Sequence, residues 1–152
     1  MARPGRSMSL VALAVLALAL AIALGPAAAS TPSAKPTSVG KRLVDRYFTE
    51  LTKHDVTGLR TLLSPAFQVQ RADGSRLGKA AFLRHLPTIR SFTIRKLVTT
   101  SNGSVLVDTY EVAANEVVNG KPFQTGYAPR LSVFTHAKGW QLVAHANFNA
   151  PK

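Results

Sequence analysis

Acid–base chemistry needs a group that carries a proton and neighbours that tune or orient it, and the second half of this chain offers one such set. Asp108 lies in the run SVLVDTYEVA, residues 104–113. Strand alternation puts Leu106, Asp108, Tyr110 and Val112 on one face and Val105, Val107, Thr109 and Glu111 on the other. A carboxyl group among apolar neighbours has a raised pKa and can serve as general acid or base. The competing account puts Asp108 on the outer face of a sheet or pairs it with an arginine. His145 lies in GWQLVAHANFN, residues 139–149, where alternation separates Gln141, Val143, His145 and Asn147 from Trp140, Leu142, Ala144, Ala146 and Phe148. On this reading the first set lines a polar pocket, with His145 as proton carrier and Asn147 as orienting amide, while the second set packs in the core. A histidine bonded to a neighbouring strand, or held in a dimer interface, is the alternative.

Asp108 and His145 are therefore the candidate catalytic pair, and Tyr47, Tyr110, Arg130 and Asn147 the candidate ligand contacts. Tyr47 sits on the apolar stripe of a predicted helix, from which its hydroxyl can reach a pocket. Arg130 follows Pro129 within a predicted strand, a place for a bulge, where a guanidinium can receive an anionic ligand. His54, His85 and His136 fall at predicted element ends and are expected at the surface. No two histidines have metal-ligand spacing, so no metal is expected. There is no nucleophile elbow, Gly-rich phosphate loop or dinucleotide fingerprint, so no cofactor is expected either.

The elements that must position these residues occupy the chain after its N-terminal segment. Arg3 and Arg6 precede an uninterrupted apolar run, Leu10 to Leu24, too short to span a bilayer as a helix. Gly25-Pro26 breaks it, and Ala27-Ala28-Ala29 offers a small-residue cleavage site. This pattern predicts a signal peptide over 1–29 and a protein that is secreted or held in the cell envelope, with an uncleaved membrane anchor as the alternative. Residues 30–38, STPSAKPTS, read as a disordered linker, and a single domain follows over 39–151.

Within that domain, Val39, Leu43, Val44, Tyr47, Phe48 and Leu51 form one stripe on a helix over 39–53, with Ser38 as its cap. Asp55 caps a short second helix, 56–63, and Pro65 follows its end. A short strand, 66–71, a turn at Ala72-Asp73-Gly74-Ser75 and a third helix, 78–86, come next. Four strands are then predicted, over 91–100, 104–113, 121–136 and 139–149. Asn102-Gly103 and Asn119-Gly120 mark hairpin turns, and His136 to Gly139 a third. Asn102-Gly103-Ser104 also matches a glycosylation triplet, but the turn reading explains the flanking strands as well. Three helices followed by an antiparallel meander make an α+β domain whose curved sheet leaves an open mouth, the usual place for a ligand pocket.

Three stretches carry a resemblance to a known family: the helix LVDRYFTEL, the strand–turn–helix FQVQRADGSRLGKAAFLRHL and the ending RLSVFTHAKGWQLVAHANFNAP. In these the chain resembles the nuclear-transport-factor-2-like superfamily, in particular its SnoaL-like branch, over the whole predicted domain. The resemblance implies a cone-shaped fold with helices on a curved, mostly antiparallel sheet, often dimeric through the outer face of that sheet. It implies isomerases, dehydratases, cyclases and epoxide hydrolases as well as non-catalytic binding and assembly modules. Two functions follow as expectations. One is a non-catalytic exported domain that binds a small apolar or amphipathic ligand in the cone. The other is an acid–base enzyme, an isomerase, dehydratase or cyclase, acting on a small polyketide-, steroid- or terpene-like substrate through Asp108, Tyr110, His145 and Asn147. Whether Asp108 and His145 converge on one molecule separates them.

Charge sets the remaining expectations. The chain has 19 Lys and Arg against 7 Asp and Glu, a net charge of +12, and no cysteine. Losing Arg3 and Arg6 with the leader leaves +10. The basic residues are scattered and not interleaved with aromatics, which argues against nucleic-acid binding and leaves peripheral contact with anionic envelope surfaces. Disulfides are excluded. Trp140 is expected in the core. A homodimer is also expected, because helices can cover only one face of the meander while both faces carry apolar residues.

Overall fold

In a computed structural model the described residues are 35–118, 121–124 and 126–149. The predicted signal peptide, the linker up to residue 34 and the turn at Asn119-Gly120 lie outside them. The amphipathic stripe forms helix α1, Pro36–Thr52, which buries Leu43, Val44, Tyr47, Phe48 and Leu51. It starts three residues earlier than its apolar pattern, because proline is tolerated in a first turn that needs no backbone donor. Residues 36–38 are thus helix rather than linker. Ser38 is not the cap: it lies inside the first turn and its hydroxyl donates to the carbonyl of Lys35 at 2.8 Å. The second cap is where the sequence placed it. Asp55 accepts the Gly58 backbone N–H at 2.9 Å and opens α2, Val56–Leu62.

Strand β1, Leu63–Gln70, follows at once, and the turn at 71–75 leads into a short β2, Arg76–Gly78. Asp73 accepts the Ser75 backbone N–H, and Gly74 takes the positive φ that the turn requires. Helix α3 spans Lys79–Arg84, shorter at both ends than expected because Gly78 is spent on β2. The long hairpin of β3, Thr88–Asn102, and β4, Val105–Val118, turns at Gly103, φ 55°. The single strand expected over 121–136 is two, β5, Lys121–Gln124, and β6, Ala128–His136. The last strand is β7, Trp140–Asn147.

The sheet order is β2-β1-β7-β6-β4-β3, with β5 beside β4. Five strands were expected, one over 66–71 and four in an antiparallel meander, on a mostly antiparallel sheet. Among the described residues the sheet has seven strands and is mostly antiparallel, with β1 running parallel to β7. Helix α1 lies across β3 and β4 and closes the core over Leu106, Tyr110, Val112, Phe134 and Leu142.

One irregularity changes which side chains face that core. Val133 pairs with Ala144, but the next residue, Phe134, pairs with Leu142. Val143 is therefore an extra residue on β7, a bulge that shifts the alternation by one. Leu142 and His145 both point to the helical side, at 0% and 4% exposure. The predicted grouping, with Leu142 opposite His145, is corrected accordingly. Trp140 is also corrected: it packs at the edge of the core, partly exposed, with its ring 5.1 Å from that of His136.

Candidate functional site

Between α1, α3 and the inner face of the sheet lies a cavity of about 190 Å³. Helix α1 supplies Tyr47, Phe48 and Leu51, and α3 supplies Phe82. Val69, Ile89, Val112 and Ala114 come from the strands. Its polar members are Arg71, Glu116, Arg130, His145 and Asn147. A larger hollow, about 810 Å³, lies between α2 and α3. It is an open surface groove, and its Lys79 is engaged with the carbonyls of Arg60 and Leu63. The smaller cavity is where polar groups converge inside apolar walls, the usual character of a ligand site.

His145 is at the centre of a buried polar chain. Its Nδ1 lies 3.0 Å from Ser132 Oγ, which in turn lies 2.9 Å from the Tyr110 hydroxyl. Burial first, and then the nearby Arg130 charge, lower the imidazole pKa to about 3, against a hydrogen bond with the Asn147 side chain that raises it. The ring is neutral at pH 7. One ring nitrogen therefore donates and the other accepts, and the Ser132 and Tyr110 hydroxyls, each able to donate or accept, satisfy either tautomer. Tyr47 stacks against this unit with its ring 5.0 Å from His145 and 6.4 Å from Phe82. Burial raises the pKa of both Tyr47 and Tyr110 well above the ordinary tyrosine value, so neither is a base.

Asp108 is on the same side of the sheet as His145 but not in the same site. The register runs Thr99, Asp108, Ser132, His145 across β3, β4, β6 and β7. Two strand spacings put the Asp108 and His145 backbones about 10 Å apart. Asp108 is fully buried beneath α1, where it accepts the Thr99 hydroxyl at 2.5 Å. Its other oxygen is buried without a hydrogen-bond partner among the described residues. Gly40 of α1 lies directly above, and a side chain there would collide with Asp108 and Thr99. Burial raises the Asp108 pKa, as its apolar neighbours implied, against the Thr99 bond, which lowers it. It does not line the cavity.

Arg130 is half-buried in the cavity wall. Its Nη1 donates to the carbonyls of Pro129 at 2.8 Å and Phe148 at 3.1 Å. No carboxylate among the described residues lies within ion-pair distance of it. Glu116 is the nearest acidic influence: burial raises its pKa, and the Arg130 charge lowers it in part. The structure thus brings Tyr47, Arg130, His145 and Asn147 to one cavity. It leaves Tyr110 one residue behind the wall and Asp108 under the helix. Ser132, Glu116 and Arg71 were not singled out from sequence. Ser132 had a signal, a small polar residue in alternation with Arg130 and Phe134. Glu116 lay past the expected end of its strand, and pairing with β3 and β5 carries that strand to it. His54, His85 and His136 are exposed, as predicted.

No protein-family model and no curated protein matches the sequence. Solved structures do match. An NTF2-like protein from Cytophaga hutchinsonii superposes with a TM-score of 0.69 at 14% identity, over 74% of this chain and 97% of the other. An NTF2-like protein of unknown function in nutrient uptake from Rhodospirillum rubrum gives 0.67 at 18%, over 73% and 98%. The S. rosetta CaMKII hub gives 0.65 at 17%, over 78% and 99%. The domain has the NTF2-like fold, an α+β architecture of helices on an open, mostly antiparallel sheet.

Proposed function

We propose that this is an exported, non-catalytic binding domain that holds a small amphipathic molecule in the cavity between α1, α3 and the sheet. The observation that carries this reading is the separation of the two proton carriers. Asp108 is sealed beneath Gly40, and His145 is neutral with its ring hydrogen-bonded to Ser132 and Asn147. Neither is free to exchange a proton with an occupant, whereas the apolar walls and the single half-buried arginine suit binding. The volume, about 190 Å³, is also below the roughly 300 Å³ at which pockets for drug-sized ligands begin, which disfavours a steroid- or polyketide-sized substrate for an isomerase, dehydratase or cyclase. Native mass spectrometry of protein purified from its host tests this. A retained small molecule, released unchanged, is expected. Release of a product altered in bonding would establish the enzyme instead.

The same reading includes a homodimer through the outer face of the sheet. Val98 and Val105 are exposed there, and Val107, Leu131, Val133, Ala144 and Ala146 join them on the strands between. An apolar face of this kind supports association with a second copy. It also includes cleavage near Ser30, read by N-terminal sequencing of secreted protein. Peripheral contact of the basic surface with anionic envelope components would be lost at high salt.

A further inference from the structure

We infer that the occupant of this cavity is a small monocarboxylate, its head group on Arg130 and its apolar body against Tyr47, Phe82 and Val112. This rests on the binding reading above and names the chemistry of the ligand. Two guanidiniums reach the cavity, but Arg71 is exposed and its charge also acts on Asp73, so only Arg130 is partly withdrawn from water there. His145 adds no charge, because it is neutral. Glu116 shares the cavity but lies beyond ion-pair distance of Arg130, so it meets that charge only in part.

Arg130 is the group that needs an anion. Arginine does not lose its proton in proteins, so a half-buried guanidinium must be met by hydrogen-bond acceptors and by countercharge. Two carbonyls hold one end of the fork, Pro129 O and Phe148 O. They fix its orientation but bring no charge. A guanidinium has five donors, and its planar edge matches the two oxygens of a carboxylate. The rest of the cavity excludes other anions. Glu116, in the same cavity, disfavours a doubly charged phosphate or sulfate and would repel a second carboxylate. For size, an apolar cavity of about 150 Å³ admits benzene, so this volume suits a single ring, or a chain of comparable bulk, with its head group.

The test is titration of the full chain, by NMR and calorimetry, with four probes: benzoate, benzamide, benzyl alcohol and phthalate. Benzoate is expected to bind at least tenfold more tightly than benzamide or benzyl alcohol, with shifts at the Val112 and His145 amides. Phthalate is expected to bind more weakly than benzoate. Arg130→Gln should remove the preference for benzoate over benzamide, and Arg130→Lys should keep part of it, since the charge stays and the fork is lost. Rising salt should weaken benzoate and leave benzamide unchanged, a comparison that needs no variant. Equal binding of benzoate and benzamide would overturn the carboxylate assignment and leave the cavity as a binding site. A benzoate preference that survives in folded Arg130→Gln would overturn the role of Arg130. Binding of none of the four would overturn both this inference and the binding reading beneath it.

Discussion

Two buried ionisable side chains, two strand spacings apart in the same row of the sheet, respond to acid in opposite directions. His145 has a folded pKa of about 3 against an ordinary value of 6.5. Its unfolded form takes up a proton that the folded form declines, so its contribution to stability is complete above pH 6.5 and is lost as pH falls from there toward 3. Denaturant unfolding at pH 7 and pH 4 is expected to show a smaller acid loss in His145→Gln than in the wild type. An equal loss in both would mean that the imidazole titrates normally. Asp108 has the opposite sign. Burial raises its folded pKa, so its contribution is present below the ordinary aspartate value and is lost as pH rises through the folded one. Asp108→Asn is therefore expected to be at least as stable as the wild type at pH 7 in the same assay. A loss above about 2 kcal/mol would show a charged carboxylate with a partner that the amide cannot replace.

Secondary structure was legible where the signal is local, and the site was obscured where it is not. The stripe of α1, the Asp55 cap and the Gly103 and Gly139 turns all stand in the sequence because each depends on a few adjacent residues. The bulge at Val143 is different. No glycine or proline marks it, and a valine there continues an ordinary strand pattern, yet it turns Leu142 and His145 to one side. Pairing of β1 with β7 depends on residues far apart and has no local mark at all. His145 was legible as a polar residue in a strand, but its partner Ser132 needed the register. Gly40 is the clearest case of a residue whose role appears only in packing, because it lets α1 rest on Asp108 and Thr99. Gly40→Ala should cost about 1–3 kcal/mol, as overpacked cores do, measured by chemical denaturation. Much of that loss should return in Gly40→Ala/Asp108→Ala, where room is made beneath the helix. Two independent, additive losses would place the strain elsewhere.

For the whole molecule the outer face of the sheet is the exposed feature of most consequence. Its apolar centre is flanked by Arg95 and Lys96, which both pair with Glu111, and Arg95 lies 3.5 Å over the Tyr127 ring. A charge placed in the middle of this face should separate a dimer without touching the core. Leu131→Glu is expected to halve the mass seen by sedimentation while the cavity still binds its probe. An unchanged mass would remove this face as the interface. The parallel pairing of β1 with β7 has a consequence in time rather than space. Val69 waits for His145, 76 residues further along the chain. Until that strand has been made, β1 lacks the neighbour that sets it in the sheet, and the core lacks Leu142. Such non-local closure is slow. A ribosome would have released every strand from β1 to β6 before β7 could dock, leaving that edge of β1 unpaired in the interval.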